Sequence, residues 1–176
     1  MKNNGLKVLI CTLAIVVLSQ AASAISLNPF KREGRTRANT LLISGNFLEP
    51  RLMAELAQYR TKQPILLIAP DASGNNTLFF MPAGTKPMTE SADKFSGILS
   101  LINPKRIIIL GNADYVPAQF VNIAQKKFPV IILNNSDWNV NCQSLADLLE
   151  QPKIISLYND YLSRIMAAHE AAKNID

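Results

Sequence analysis

Polar and aromatic residues follow four β-rich runs of the sequence, at the point where each run ends. Amide, carboxylate and aromatic side chains hydrogen-bond to and stack on neutral polar ligands such as sugars. Tight turns and helix caps require the same residue types, so a structural role stays open. The candidate ligand-binding residues are Asn46, Asp71, Asn112, Asp114, Tyr115, Asp137 and Trp138, with Phe47 as a further stacking candidate.

Few residues suit covalent or acid–base catalysis. The only histidine, His169, falls on a predicted terminal helix rather than at a strand end, so we expect it at the core edge or in solvent. Cys142 has no histidine nearby in sequence, which favours a buried or half-buried thiol. One histidine and, outside the first 24 residues, one cysteine make a metal site unexpected, and no glycine-rich loop predicts a cofactor. Convergence of Asp71, Asp114 and Asp137 would keep a hydrolase open.

The elements that position these residues alternate along the chain. Apolar runs at 40–44, 65–69, 106–110 and 130–133 predict strands, and amphipathic stretches between them predict helices. This alternation is typical of parallel βαβ units. We therefore expect an α/β fold, a single three-layer domain over 38–176 with a mostly parallel sheet of 4–5 strands, flavodoxin-like or Rossmann-like. The strand-end residues would meet at one edge of that sheet.

Three further elements are predicted from weaker patterns. Residues 77–81 read as an added edge strand after turn-forming residues. A helix is predicted from about Glu90, with Thr89 as its cap. From about Ile154 to Ala172 a continuous apolar stripe predicts a long terminal helix that covers apolar surface.

The first 24 residues have the pattern of a secretory signal peptide. Lys2 and Lys7 precede an apolar run over 8–18, and Ala22 and Ala24 supply small residues before a cleavage site at Ala24/Ile25. We therefore expect export to the periplasm, the exterior or the cell surface. After cleavage Cys142 is the only cysteine, so no intramolecular disulfide can form.

The formal charge of +5 is unevenly distributed along the chain. The signal peptide carries lysines without acids, and the segment 25–37 reads as a flexible basic arm. From Ala38 onward basic and acidic residues balance, which argues against nucleic-acid binding by the body. The arm is either a solvated linker or a contact for an anionic surface such as a wall polymer or lipid headgroups. Its basic residues are Lys31, Arg32, Arg35 and Arg37.

Several of these runs resemble a known family. Pro64-Ile65-Leu66-Leu67, the run from Lys105 to Gly111, and Val130-Ile131-Ile132-Leu133 leading to Asp137-Trp138 are similar to one repeat of the cell-wall-binding repeat 2 family of bacterial surface proteins, over about 65–149. Asn112 stands where that family has a second glycine, and Trp138 roughly where it has tyrosine. The resemblance implies a flavodoxin-like module that attaches non-covalently to anionic wall polymers.

Together these features predict an exported, non-enzymatic α/β module that binds a cell-envelope polymer or another envelope component. The alternative is a small exported hydrolase that uses the strand-end carboxylates. The lack of a histidine at the strand ends favours the module.

Overall fold

A six-stranded mixed sheet organises the chain in the computed structural model, which describes residues 37–173 apart from Ala72 and Thr85. Residues 1–36 lie outside the described part, and with them the predicted signal peptide and the arm residues Lys31, Arg32 and Arg35. The sheet order is β4-β3-β2-β1-β5-β6. The strands are β1 Thr40–Gly45, β2 Ile65–Pro70, β3 Asn76–Met81, β4 Met88–Ser91, β5 Arg106–Leu110 and β6 Val130–Leu133.

The four strands expected to be parallel are parallel. β1 pairs with β2 and β5, and β5 pairs with β6. Every residue of β1 is buried, as are the first four of β2 and the last four of β5. Strands that are covered on both faces read as continuous apolar runs, which is why the sequence predicted them well.

The hairpin of β3 and β4 departs from the expectation. The strand over 77–81 exists, but it lies between β2 and β4 and is antiparallel to both, so it is not an edge strand. A turn of five residues, 71–75, leads from β2 to β3, and only antiparallel neighbours can be joined so tightly. The sheet therefore has six strands rather than 4–5, and β3 pairs antiparallel with both of its neighbours.

The predicted helix start at Glu90 is wrong. Thr89 and Glu90 belong to β4, where they pair with Phe79 and Leu78 of β3. A 3-10 turn over Ala92–Lys94 follows, and the α-helix begins at Phe95. β4 is a short, largely exposed edge strand, so its sequence lacks the apolar periodicity that identifies the other strands.

Helices cover both faces of the sheet, which confirms the three layers. One face packs against α2 and α3 around Phe95 and Phe120, and the other packs against α1, α4 and α5 around Met53 and Leu145. All described elements belong to this sheet or to its two cores. The helices are α1 Leu48–Thr61, α2 Phe95–Ile102, α3 Ala118–Gln125, α4 Trp138–Leu149 and α5 Lys153–Lys173.

Helix α5 has the length expected of it, but its stripe is only partly covered. Ile154 and Tyr158 are fully buried in the core that α1, α4 and α5 form with the sheet, whereas Ile165 and Met166 are exposed. All residues from Ser163 to Lys173 are exposed. The prediction that the whole stripe covers apolar surface is therefore wrong for the second half of the helix. Among the described residues, no helix is both long enough and apolar enough to span a bilayer.

The central strands make a clear stability prediction. Ile108 of β5 has no exposed surface, so Ile108→Ala should lower the free energy of unfolding by about 2–5 kcal/mol through lost burial and the cavity left behind. Ile132→Ala is the matched control, because Ile132 on β6 is 37% exposed and should cost less than about 1 kcal/mol. Urea unfolding of both variants measures the difference. Equal losses would contradict this placement of the core.

Candidate functional site

Between β1 and β5 the helical connections change from one face of the sheet to the other. These strands are parallel neighbours, yet α1, which follows β1, covers one face and α3, which follows β5, covers the other. The two connecting chains therefore diverge at the carboxyl-terminal edge of the sheet. Ligands of open α/β sheets bind at this point, and Asn46, Asn112 and Tyr115 lie there as the sequence predicted.

Tyr115 fills this crevice. A Cβ atom added to Gly111 would lie 2.6 Å from the Cβ of Tyr115, and one added to Gly45 would lie 2.5 Å from its carbonyl oxygen. Gly111 also has φ +106, a backbone conformation that residues other than glycine rarely adopt. Both glycines are therefore required for the ring and backbone of residue 115 to reach the strand ends.

Three predicted aromatic residues meet at this edge. The ring of Tyr115 is 5.2 Å from that of Phe47 and 5.1 Å from that of Trp138, both edge to face. Trp138 is only 8% exposed, so it is mainly a core residue, whereas Phe47 is 45% exposed. The rings pack on one another, and Phe47 offers the largest surface to a stacking ligand.

The predicted polar residues form turns and caps. Asp71 Oδ1 accepts the backbone N–H groups of Ser73 and Asn75, and Asp137 Oδ1 accepts that of Asn139 at the start of α4. The side chain of Asn112 accepts the N–H of Asp114, which is itself exposed. Asp71 lies in the β2–β3 turn. The structural role that the sequence left open is thus present at Asp71, Asn112 and Asp137.

Asn46 faces a groove at the same edge. Its Oδ1 accepts a 3.0 Å hydrogen bond from Arg51, and Arg51 also pairs with Glu55 at 2.7 Å. The groove has a volume of about 300 Å³. We call it the carboxyl-edge groove; it is lined by Asn46, Phe47, Leu48, Arg51, Leu52, Glu55 and Ile165.

Sequence reasoning missed the buried amide of Asn141. Its Nδ2 donates to the carbonyl oxygen of Asn135 at 2.7 Å, and its Oδ1 accepts the N–H of Asn135 at 2.9 Å. This two-way bond ties the loop after β6 to α4 and so positions Trp138. An asparagine on the inner face of an amphipathic helix was the available signal, because buried polar groups need partners.

Burial makes Cys142 and Tyr158 poor nucleophiles. Cys142 is 1% exposed, and burial raises the pKa of its thiol to about 11. Burial also raises the pKa of Tyr158 well above its usual range, and its hydroxyl has no hydrogen-bond partner among the described residues. His169 is exposed on α5, in agreement with the solvated position expected. Within 37–173, apart from the two undescribed positions, no cluster of acids, histidine and cysteine could hold a metal.

A second surface lies at the opposite edge of the sheet, where the parallel strands begin and α1 to α4 end. We call it the amino-terminal edge. By their places in these elements its cations are Arg37, Arg60, Lys62, Lys86, Lys105, Arg106, Lys126, Lys127 and Lys153, and the described acids there are Asp147 and Glu150. It contains a groove of about 360 Å³, which we call the amino-edge groove, lined by Arg37, Ala38, Asn39, Lys62, Gln63, Pro64 and Lys105.

The amino-edge groove draws its charge from three separate segments. Arg37 precedes β1, Lys62 ends α1, and Lys105 precedes β5. The sequence singled out only Arg37, because the charges of the body balance in number. Cations at predicted helix ends and strand starts were the missed signal, since a parallel α/β fold gathers those positions on one edge.

No model of a known protein family, no curated protein and no solved structure matches the chain.

The close approach at Gly111 predicts a local loss of stability. Gly111→Ala should lower the free energy of unfolding by about 1–3 kcal/mol, because the new methyl group meets Tyr115 and the backbone there disfavours alanine. Urea unfolding measures the loss, and near-ultraviolet circular dichroism reports disturbance of Tyr115 and Trp138. Gly97→Ala in α2 is the control: its Cβ would contact nothing within 4 Å, and helix propensity should stabilise it by up to about 1 kcal/mol.

The raised pKa of Cys142 predicts an inert thiol. At pH 8 its thiolate fraction should be about 100-fold below that of an unperturbed cysteine, and burial should slow reaction further. Alkylation of residues 25–176 by iodoacetamide, followed by mass spectrometry with and without denaturant, tests this. Comparable rates in the folded and unfolded protein would contradict it.

Proposed function

We propose that this chain is an exported, non-enzymatic α/β module that binds an anionic polymer or surface of the cell envelope through its amino-terminal edge and its basic arm. The observation that carries the proposal is the pattern of ion pairing. The ion pairs among the described residues are Arg51–Glu55, Lys94–Asp93 and Arg164–Asp160, none of them at that edge. The cations of the amino-terminal edge therefore keep their charge available for a partner.

Several of these cations are held by neutral groups. Arg106 donates to the carbonyl oxygen of Leu148 at 2.8 Å and to the hydroxyl of Thr40 at 3.0 Å, and Arg60 donates to the side chain of Gln151 at 3.4 Å. Such bonds orient the guanidinium groups without neutralising them. A fixed array of uncompensated cations attracts polyanions, with an affinity that falls as salt rises.

The arm enters the fold at the same edge. The backbone N–H of Arg37 donates to the carbonyl oxygen of Ile102 at 2.9 Å, next to the start of β5, and the side chain of Arg37 lines the amino-edge groove. The basic residues Lys31, Arg32 and Arg35 precede this point in sequence by two to six residues. Their closeness in sequence to Arg37 is the reason for including the arm in the proposal.

The order of the parallel strands supports a flavodoxin-like fold and the resemblance to the wall-binding family. Their order, β2-β1-β5-β6, is that of a doubly wound unit like the flavodoxin-like folds, to which the β3–β4 hairpin is an addition. A module of this kind on an anionic wall polymer is what resemblance to the cell-wall-binding repeat 2 family implies. The signal-peptide pattern of residues 1–24 supports delivery to the envelope.

Sedimentation with isolated cell walls of the source organism tests the proposal. Residues 25–176 should sediment with the walls at low salt and be released as salt rises. Lys62→Gln/Lys105→Gln should weaken binding by about 2 kcal/mol, or roughly 30-fold, at about 1 kcal/mol for each cation near a charged surface.

The matched control is Lys94→Gln/Arg164→Gln, which removes the same net charge from residues that are already paired with carboxylates. It should change binding by no more than about twofold, because both cations are already partly neutralised by their carboxylate partners. Absence of sedimentation at low salt, or equal losses for the two double variants, would overturn the proposal.

A further inference from the structure

The outer half of α5 presents an apolar surface that the described residues leave uncovered. Tyr161, Ile165 and Met166 are 47%, 37% and 53% exposed. Ile165 also lines the carboxyl-edge groove beside Phe47 and Leu48, which are 45% and 46% exposed. We call Phe47, Leu48, Tyr161 and Ile165 the α5 surface; Met166 lies about 100° around the helix from Ile165. Contiguous exposed apolar residues of this kind mark interaction sites on soluble proteins.

The length of α5 explains why this surface exists. The helix has 21 residues and so is about 31 Å long, whereas strands of six residues span about 20 Å. It begins at the amino-terminal edge and passes the carboxyl-terminal edge, so residues from Ser163 onward extend beyond the layer that buries Ile154 and Tyr158. An isolated helical end of this length is marginal in water, which favours a partner for it.

We propose that a second copy of the chain covers the α5 surface, with the outer halves of the two α5 helices packed antiparallel about a two-fold axis near Met166 and Ala167. This inference does not depend on the proposed binding function. It commits to one interface, in which each copy offers the same helix to the other.

The residue pattern of the helix is self-complementary in this arrangement. Tyr161, Ile165, Ala168 and Ala172 follow one another at intervals of four, three and four residues, so they share one face. The large residues precede the small ones. Antiparallel pairing about the stated axis sets Tyr161 against Ala172 and Ile165 against Ala168 of the other copy, both in the same register. Large side chains opposite small ones allow close helix packing.

The charges of this segment fit a second copy better than a membrane. Asp160 and Arg164 pair within the helix at 3.1 Å, and Glu170 and Lys173 balance each other in number. Residues 160–173 are therefore neutral in formal charge and would not repel an identical copy. Interfacial helices that bind anionic membranes carry an excess of lysine and arginine on the polar face, which this segment lacks.

The size of the contact sets the expected strength. From Tyr161 to Ala172 the stripe is about 17 Å long, and the neighbouring carboxyl-edge groove adds apolar surface from Phe47 and Leu48. This is at the small end of specific interfaces, so dimerisation should be weak, with a dissociation constant of about 10–100 µM.

Sedimentation velocity of residues 25–176 over about 10 µM to 1 mM tests the dimer, because the monomer–dimer ratio should change across this range. Ile165→Asp should raise the dissociation constant at least tenfold, since it places a charge in the contact. Leu101→Asp is the control: Leu101 is 50% exposed on α2, on the opposite face of the sheet, and should leave dimerisation unchanged. Circular dichroism confirms that both variants stay folded.

Cysteine cross-linking tests the register. A mixture of Ile165→Cys and Ala168→Cys chains should form disulfide-linked heterodimers faster than either variant forms homodimers, because only the mixed pair stands face to face. The native Cys142 is buried and should not interfere. Faster homodimer formation by both single variants would indicate parallel helices and overturn the proposed arrangement.

The remaining outcomes also decide the matter. A protein that stays monomeric at 1 mM, or equal effects of Ile165→Asp and Leu101→Asp, would overturn the proposal. Binding of the monomer to phosphatidylcholine vesicles, abolished by Ile165→Asp, would assign the α5 surface to lipid instead. Wall sedimentation of Ile165→Asp at low protein concentration stays a separate measurement, so failure of the dimer and failure of polymer binding are distinguishable.

Discussion

The parallel pairing of β1 with both of its neighbours is the constraint on which the rest of this structure depends. β1 is buried along its whole length, and its pairing with β2 and β5 forces every connection between parallel strands to return across a face of the sheet. Helices α1, α3 and α4 therefore begin near the carboxyl-terminal edge and run back towards the amino-terminal edge. The two edges differ in chemistry because one gathers helix starts and the other gathers helix ends.

Charge follows this geometry. Helix ends carry partial negative charge and favour lysine and arginine, while helix starts favour acids and caps such as Asp137. This accounts for the cations at the end of α1 and for Glu49 in its first turn. From Ala38 onward basic and acidic residues are equal in number, yet the amino-terminal edge is strongly basic because the fold gathers helix ends there. The cations that stabilise the helix ends are thus the ones that the proposed polyanion binding would use.

The carboxyl-terminal edge is aromatic and apolar rather than basic. Its crevice at the β1–β5 switch is filled by Tyr115, which contacts Phe47 and Trp138 and requires glycine at positions 45 and 111. The aromatic residues that suggested a sugar site from sequence serve first to close the top of the sheet. What this edge leaves open to solvent is the groove beside Asn46 and the apolar end of α5.

The sequence by itself determined the four parallel strands, the helices between them and the three layers, because buried strands and amphipathic helices leave strong local periodicity in the order of residues. It also placed Tyr115 and Trp138 near one another, since strand ends of a parallel sheet share an edge. It did not determine the antiparallel β3–β4 hairpin: β4 is short, polar and exposed, and hydrogen bonding to β3 is what makes it a strand.

Only the tertiary structure decided which charges stand together and which apolar stripe stays uncovered. Lys62 and Lys105 are 43 positions apart in sequence and line one groove. The apolar stripe of α5 looks continuous in sequence, yet its outer half passes the layer against which its first half is buried. Local patterns specify the type of each element, whereas the neighbours of a residue depend on where the other elements end in space.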